Sequence, residues 1–208
     1  TTHVIRGEEW ISSTPKHIAL FKACGYKVPK YAHTPQVMKL DEDDGNKRKI
    51  SKRKDPEAAV SYFFEAGVPK ESITEYLLTL INSNFEDWRR ANPKASAFDF
   101  PFNLKKMSSS GCLFDLVKLA DVSKNVISVM DADTVYSYIS DWAKEYDPEF
   151  YEIFTKNPER SREIVNIDRE NPKLRKDIAK WSEVKDYFSY MFNELYTPAF
   201  ELPENISK

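Results

Sequence analysis

The residues Lys47 to Lys54 have the sequence KRKISKRK and include six lysines and arginines. Cations held at the tip of a loop can neutralise the charge that builds up on a polyphosphate as a phosphoryl or nucleotidyl bond breaks. Ser51 adds a hydroxyl donor, and Ile50 gives this basic segment an apolar anchor that a purely solvated surface would not need. By charge alone, a solvated face or a targeting patch is the more common explanation of such a segment.

Most other catalytic templates are absent from the sequence. There is no GxxxxGK[ST], GxGxxG, HExxH or GxSxG motif. The three histidines at positions 3, 17 and 33 lack the spacing of metal ligands, so we interpret His17 and His33 as structural or solvated and predict no metal site.

The composition limits the class of protein. Of 208 residues, 41% are hydrophobic and 31% are charged, which is typical of a globular protein and excludes a disordered chain. No stretch approaches the ~20 apolar residues of a membrane span. The formal net charge of -2 means that a nucleic acid would have to meet a local basic patch. Cys24 and Cys112 are far apart and indicate buried thiols in a reducing compartment.

The first 38 residues have the pattern of an α/β layer. Thr14 is a candidate helix cap, Pro15 fits the first helical position, and Gly25 suits the left-handed residue after a helix end. A β-branched run beginning at His3 predicts a strand before this helix, and residues 31–38 predict a short strand after it.

Strand signals nearly vanish after the basic segment, so the fold class is predicted to be mainly α. Asp55-Pro56 is predicted to open a helix that ends at Gly67, and residues 70–82 form another. Residues 91–112 are a loop-rich boundary. Asp-Pro and Asn-Pro pairs punctuate the remainder, for which we predict helices at 113–121, 132–146, 148–156, 159–170 and 173–196.

The order of residues within the basic segment adds a family resemblance. Lys49-Ile50-Ser51-Lys52-Arg53 resembles the KMSKS signature of class I aminoacyl-tRNA synthetases, in the form favoured by the glutamyl enzyme. The similarity extends upstream through the segments 2–10, 13–15 and 31–35, and downstream to the short motif at 114–119. It is specific over residues 2–55 and more general beyond about residue 120.

The resemblance implies roles for the residues of the basic segment. Lys49 and Lys52 would bind the phosphates of ATP and stabilise the transition state of adenylate formation, with Lys52 the more important. Ser51 and Arg53 would shape the loop, and Arg53 is counted with the ATP-binding residues.

Five further site residues are implied by the same resemblance. Arg6 matches the arginine that grips a carboxylate of the glutamate substrate, a task that suits a planar guanidinium fork. Glu9 and Trp10 would lie beside the ATP and amino-acid pockets, although a half-buried core aromatic is an equal interpretation of Trp10. Gln36 and Val37 would present backbone groups to adenine.

The resemblance also implies a domain organisation. Residues 1–55 would be the C-terminal end of a Rossmann-type catalytic domain, residues 56–112 a stem-contact region, and residues 113–208 a helical region that starts the anticodon-binding part. The family's HIGH motif would lie before Thr1. We therefore expect a fragment that is inactive alone.

The implied activity of the full enzyme is ATP-dependent activation of glutamate and its transfer to tRNA. ATP and Mg would be required, and the enzyme would be a cytoplasmic monomer without membrane contact. Two alternatives remain open: a non-catalytic tRNA-binding or protein-interaction module with synthetase architecture, and a glutaminyl-tRNA synthetase fragment, which would place β-barrels after the helical region.

The helical remainder carries basic residues that have two interpretations. They could face the tRNA backbone. Acidic residues are interleaved with them, however, so a solvated surface with internal ion pairs is the favoured interpretation. The basic residues are Arg160, Arg162, Arg169, Lys173, Arg175, Lys176 and Lys180.

Overall fold

The computed structural model describes residues 1–41, 44–108 and 111–197. These residues form two compact units. The first comprises Thr1–Tyr62 and Lys70–Val122, and the second comprises Phe63–Pro69 and the described residues from Ser123 onward. Helices predominate and the strands are few and short, which confirms the mainly α fold class.

The first unit opens with a strand–helix–strand arrangement. Strand β1 (His3–Gly7) and strand β2 (Lys30–Thr34) pair in parallel, and helix α1 (Thr14–Ala23) lies between them in sequence. Gly25 follows the helix with a φ of 70°, as its position predicted. The prediction of Thr14 as the cap was wrong: the helix begins at Thr14, and Ser13 occupies the cap position without a side-chain hydrogen bond.

A second small sheet carries the basic segment. Strands β3 (Val37–Leu40), β4 (Lys47–Lys49) and β5 (Cys112–Leu113) are ordered β4-β3-β5, with β3 antiparallel to β4 and parallel to β5. The prediction of one strand over 31–38 was therefore wrong. Pro35 lacks a backbone N–H and lies between the end of β2 and the start of β3, which belong to different sheets.

Helices predominate among the elements after the basic segment. They begin with α2 (Val60–Glu65), α3 (Lys70–Ile81), α4 (Phe85–Ala91) and α5 (Leu116–Ser128). Asp55-Pro56 opens a 3-10 turn over Pro56–Ala58, so α2 starts later than predicted. In the first unit, Tyr76 and Phe85 are 1% exposed, and Phe85 packs edge-on against Phe100 with ring centroids 5.1 Å apart.

The second unit has three well-capped helices, α6 (Ala132–Tyr146), α7 (Pro148–Thr155) and α8 (Pro158–Asn166). The side chains of Asp147 and Asn157 accept hydrogen bonds from the first turns of α7 and α8, and a proline follows each cap, as the Asp-Pro and Asn-Pro pairs predicted. Their inner faces share one hydrophobic core that includes Ile139, Phe150 and Phe154, each fully buried.

The prediction of a helix over 173–196 was wrong. In that range the structure has two 3-10 turns, Trp181–Glu183 and Ser189–Met191, and the short helix α9 (Val184–Tyr187). Lys180 is extended, and the Trp181 N–H donates to the carbonyl of Gly67 instead of to a carbonyl one helical turn earlier. Residues 113–121 likewise contain the end of β5 before α5 begins.

None of the helices in the described part of the chain is long and apolar enough to cross a membrane.

Candidate active site

The basic segment forms the second strand and the following turn of the β3–β4 hairpin. Among the described residues, Arg48 is the cation of the segment that pairs with carboxylates. Its Nε donates to Asp41 Oδ2 at 2.6 Å, and its two terminal nitrogens donate to the two carboxylate oxygens of Asp55 at 2.6 and 2.7 Å. A planar guanidinium is suited to this bidentate geometry. Arg48 is therefore a structural residue within a segment whose other cations are exposed.

Asp55 is the buried centre of this arrangement, with 1% of its surface exposed. Its Oδ2 also accepts a hydrogen bond from the backbone N–H of Ser51 at 2.8 Å, and its Oδ1 lies 3.6 Å from Lys39 Nζ. The hydrogen bonds from Arg48 and from Ser51 hold the pKa of Asp55 well below the usual range of a carboxyl group. The hydrogen bonds that Arg48 donates to Asp55 are the main cause of the raised pKa of Arg48.

The predicted catalytic lysines lie outside this buried network. Lys49 and Lys52 are exposed, and Arg53 is exposed beside them. Within residues 1–41, 44–108 and 111–197, no carboxylate lies within ion-pair distance of these three side chains. The Ser51 Oγ accepts a long hydrogen bond of 3.4 Å from the Arg53 N–H, which supports the predicted role of Ser51 in shaping the turn. Such unpaired cations suit a polyphosphate ligand.

Asp41 and Asp44, the two described residues of the acidic run before the segment, lie between β3 and β4. The Asp41 N–H donates to the Asn46 carbonyl at 2.8 Å, and Asp44 accepts hydrogen bonds from the Asn46 backbone and side chain. Gly45 adopts a φ of 69°, a conformation that favours glycine. Residues 42 and 43 lie outside the described residues. The described residues contain no group of three or more potential ligands that could hold a metal ion.

Arg6 lies in β1 among neutral acceptors. Its Nε donates to His33 Nε2 at 3.2 Å and its Nη1 to His17 Nδ1 at 2.9 Å. Its Nη2 donates to Thr14 Oγ1 at 2.8 Å and to the Trp10 carbonyl at 3.3 Å. Four of the five guanidinium N–H groups are thus used, and one on Nη1 has no partner in the described part of the chain.

The Arg6 guanidinium also stacks on aromatic rings. Its central carbon lies 5.0 Å from the ring centroid of Tyr31 and 5.7 Å from that of Trp10. No carboxylate of the described residues lies within ion-pair distance of it. A half-buried cation without an anionic partner is suited to an anionic ligand. A bidentate contact needs two N–H groups of Arg6, so one of its present hydrogen bonds would have to break.

Thr14, His17 and His33 are hydrogen-bond partners of Arg6 that the sequence pattern did not indicate. His17 and His33 were interpreted as structural or solvated, and the hydrogen bond that each accepts from Arg6 agrees with a structural role. Because arginine has no acceptor, both accepting nitrogens must be unprotonated in this arrangement. The parallel pairing of β1 with β2 places Arg6 beside His33, a register that the sequence pattern did not reveal.

The remaining predicted residues, Glu9, Trp10, Gln36 and Val37, lie between β1 and the basic segment in sequence. Trp10 is 48% exposed, and the Glu9 carboxylate lies over Gly7, in the space that a Cβ atom there would occupy. The Gln36 N–H donates to Glu8 Oε1 at 3.1 Å. This hydrogen bond links the turn after β1 to the start of β3.

The backbone at Gln36 and Val37 is largely engaged within the protein. The Gln36 carbonyl accepts from the Cys112 N–H at 3.0 Å, and the Val37 carbonyl accepts from the Ile50 N–H at 3.1 Å. The Ile50 contact is made by the backbone, so the apolar anchoring expected of its side chain stays a prediction. Adenine contacts through Gln36 or Val37 stay a prediction. Because each of the two carbonyls already accepts one hydrogen bond, it would have to accept the bond from adenine with its second lone pair.

In the second unit, several of the basic residues have internal partners. Arg162 pairs with Asp133 at 2.8 Å and stacks over Tyr136. Arg169 donates to the carbonyls of Val165, Ile127 and Met130. Arg175 contacts two carboxylates and the Tyr187 hydroxyl. For these three arginines the structure favours the interpretation of internal contacts.

Comparison with known proteins defines the class to which this fold and site belong. The family model described as "tRNA synthetases class I (E and Q), catalytic domain" matches residues 1–109. The chain therefore belongs to the class I tRNA synthetases of the E and Q group.

The similar curated proteins narrow the comparison to glutamate–tRNA ligases. That of Clostridium beijerinckii is 53% identical over 211 residues, which cover 100% of this chain and 38% of the relative. That of Clostridium perfringens strain 13 is 55% identical over 196 residues, covering 94% of this chain and 36% of the relative. The chain thus spans less than two fifths of the length of these relatives.

A solved structure has a similar fold. The glutamate tRNA ligase of Elizabethkingia meningosepticum, determined in complex with its amino acid, matches 98% of this chain and 39% of its own chain with a TM-score of 0.65 and 21% identity. This likeness concerns the fold alone.

Proposed function

We propose that this chain is part of a glutamate–tRNA ligase that activates glutamate with ATP and transfers it to tRNA. The observation that carries the proposal is the exposed pair of Lys49, at the end of β4, and Lys52, in the following turn that the buried Asp55 holds. The chain that contains them is 53–55% identical to glutamate–tRNA ligases. In the first step, a glutamate carboxylate oxygen bonds to the α-phosphorus of ATP while the bond to the bridging oxygen breaks and pyrophosphate leaves.

The basic segment would act on the leaving pyrophosphate. Lys49 and Lys52 would place positive charge where negative charge develops, with Lys52 contributing more. Arg53 would add a further cation, and Ser51 would keep the turn in shape. Mg²⁺ would enter with ATP, since this ion usually binds substrate phosphates while keeping several of its waters.

Arg6 would bind a carboxylate of glutamate. The absence of an anionic partner for Arg6 in the described residues supports this role. Glu9 and Trp10 would border the same pocket, and Gln36 and Val37 would meet the adenine. Transfer would follow when a tRNA hydroxyl attacks the activated carbonyl and AMP leaves. We further propose that the protein is cytoplasmic and monomeric, and that residues 1–208 alone are inactive.

The three-part division at 55/56 and 112/113 stays part of this proposal. The two compact units divide the chain elsewhere, but a compact unit and a functional region need not share boundaries.

The test is tRNA charging by the full-length protein. With ATP, Mg²⁺ and tRNA, radiolabelled glutamate should become attached to tRNA, glutamine should not, and residues 1–208 alone should attach neither. Charging with glutamine instead would support the glutaminyl alternative. Binding of tRNA without charging of either amino acid would support the non-catalytic module and contradict the proposal.

A further inference from the structure

The Asp55 carboxylate connects two points of the basic segment, Arg48 and Ser51, and so closes a hydrogen-bonded ring. It bonds through both oxygens to Arg48 near the start of the segment and through Oδ2 to the N–H of Ser51 in its middle. The Asp55 N–H donates back to the Ser51 carbonyl at 2.8 Å. Lys49 and Lys52 are the immediate neighbours of these fixed points, so their backbone positions depend on contacts that neither lysine makes itself.

A second ion pair supports the ring from β3. Lys39 Nζ lies 2.6 Å from Glu57 Oε1 and 3.6 Å from Asp55 Oδ1. Asp55 and Glu57 are both buried, with 1% and 7% of their surface exposed. Removing one partner of a buried pair leaves a charge without compensation, so these contacts hold the segment firmly.

We propose that Arg48 and Asp55 are positioning residues for adenylate formation, which place Lys49 and Lys52 at the phosphates before ATP binds. The proposal rests on the proposed function of the two lysines. Neither Arg48 nor Asp55 contacts a ligand in this scheme. They act through the turn, whose geometry determines how closely the lysines approach the leaving pyrophosphate.

The substitution Asp55→Asn tests this with little change in shape. The side-chain oxygen of an asparagine can still accept from the Ser51 N–H. Its NH₂ group, however, replaces an oxygen that accepts from Arg48, and two donors cannot form a hydrogen bond. A misplacement of about 1 Å can reduce a catalytic rate about 100-fold. We expect the kcat of glutamate-dependent ATP–pyrophosphate exchange in the full-length protein to fall about 10- to 100-fold, with an unchanged KM for glutamate. Asp55→Glu should recover part of the loss.

The effect of Asp55→Asn in a Lys52→Ala background separates positioning from stability. If Asp55 acts through Lys52, Asp55→Asn should lower kcat much less in the Lys52→Ala protein than in the wild type. An equal loss in both backgrounds, or a loss that matches the unfolded fraction seen by circular dichroism, would overturn the proposal. So would an unchanged kcat for Asp55→Asn when Lys52→Ala lowers it.

Hydrogen exchange of the same full-length proteins distinguishes failure of this inference from failure of the proposed function. Asp55→Asn should speed amide exchange over residues 49–54, because the ring is opened. If Lys52→Ala leaves exchange activity unchanged, the proposed function fails, and faster amide exchange would still support the positioning by Asp55. Unchanged amide exchange would refute that positioning whatever the activity.

Discussion

Replacing Arg6 by lysine tests how the amino-acid pocket is built. The change keeps the positive charge but removes the planar fork that donates to His17, His33, Thr14 and the Trp10 carbonyl. Lysine has three N–H groups and cannot satisfy four acceptors and a substrate carboxylate. A hydrogen bond to a charged group contributes about 1.5–3 kcal/mol. Loss of one such bond to glutamate corresponds to an increase of about 10- to 150-fold in KM.

The assay is ATP–pyrophosphate exchange by the full-length protein, with tRNA present and glutamate varied. Arg6→Lys should raise the KM for glutamate by that factor and leave the KM for ATP within about twofold, a change of under 1 kcal/mol. Arg90→Lys is the matched control, because Arg90 is exposed and its ion-pair partners within the described ranges are acidic residues of its own helix, Glu86 and Asp87. An unchanged KM for glutamate, or a rise confined to ATP, would refute the assignment of Arg6 to the glutamate carboxylate.

Two further predictions concern stability. Asp55 has a lowered pKa in the folded state, so its contribution is present above its unfolded pKa of about 3.9 and is lost as the pH falls through the folded pKa. The difference in free energy of unfolding by urea between wild type and Asp55→Asn should therefore shrink from pH 6 to about pH 2, and a constant difference would show that the carboxylate charge is not responsible. Ile139→Ala, at a fully buried position, should cost about 2–5 kcal/mol, whereas Ile167→Ala, at a position 38% exposed, should cost less than about 1 kcal/mol. Similar losses for both would contradict the assigned core.

Local signals in the sequence were sufficient where a helix is defined by its own residues. The predicted boundaries of α6 match those observed, because Asp131 caps the helix and its apolar residues recur at helical spacing. The prediction of a helix over 173–196 failed because the aromatic residues of this segment also recur at helical spacings, whereas its backbone at Ala179 and Trp181 bonds to residues distant in sequence. The N–H of Trp181 bonds to Gly67, a partner that periodicity does not reveal.

At the candidate site, too, the sequence indicated features that depend on neighbouring residues and did not reveal contacts between residues distant in sequence. The order of residues in the basic segment indicated which lysines to expect at the phosphates. It did not reveal that Arg48 is bound by Asp41 and Asp55, because charge patterning assigns every cation of a basic run the same role. The acceptors of Arg6 come from α1, from β2 and from the 3-10 turn that precedes α1. Only the parallel pairing of β1 and β2 brings His33 beside Arg6.

The most direct test of the account is the effect of Lys52→Ala on ATP–pyrophosphate exchange by the full-length protein. Lys47→Ala is the matched control, an exposed lysine at the other end of the same segment to which we assign no role. Loss of one charge-stabilising donor at a transition state typically lowers kcat about 100- to 1,000-fold. We predict a loss of that size for Lys52→Ala and less than about threefold for Lys47→Ala, a change of under 1 kcal/mol. Equal, small effects of the two substitutions would mean that the segment is an ordinary basic surface, and would contradict the account.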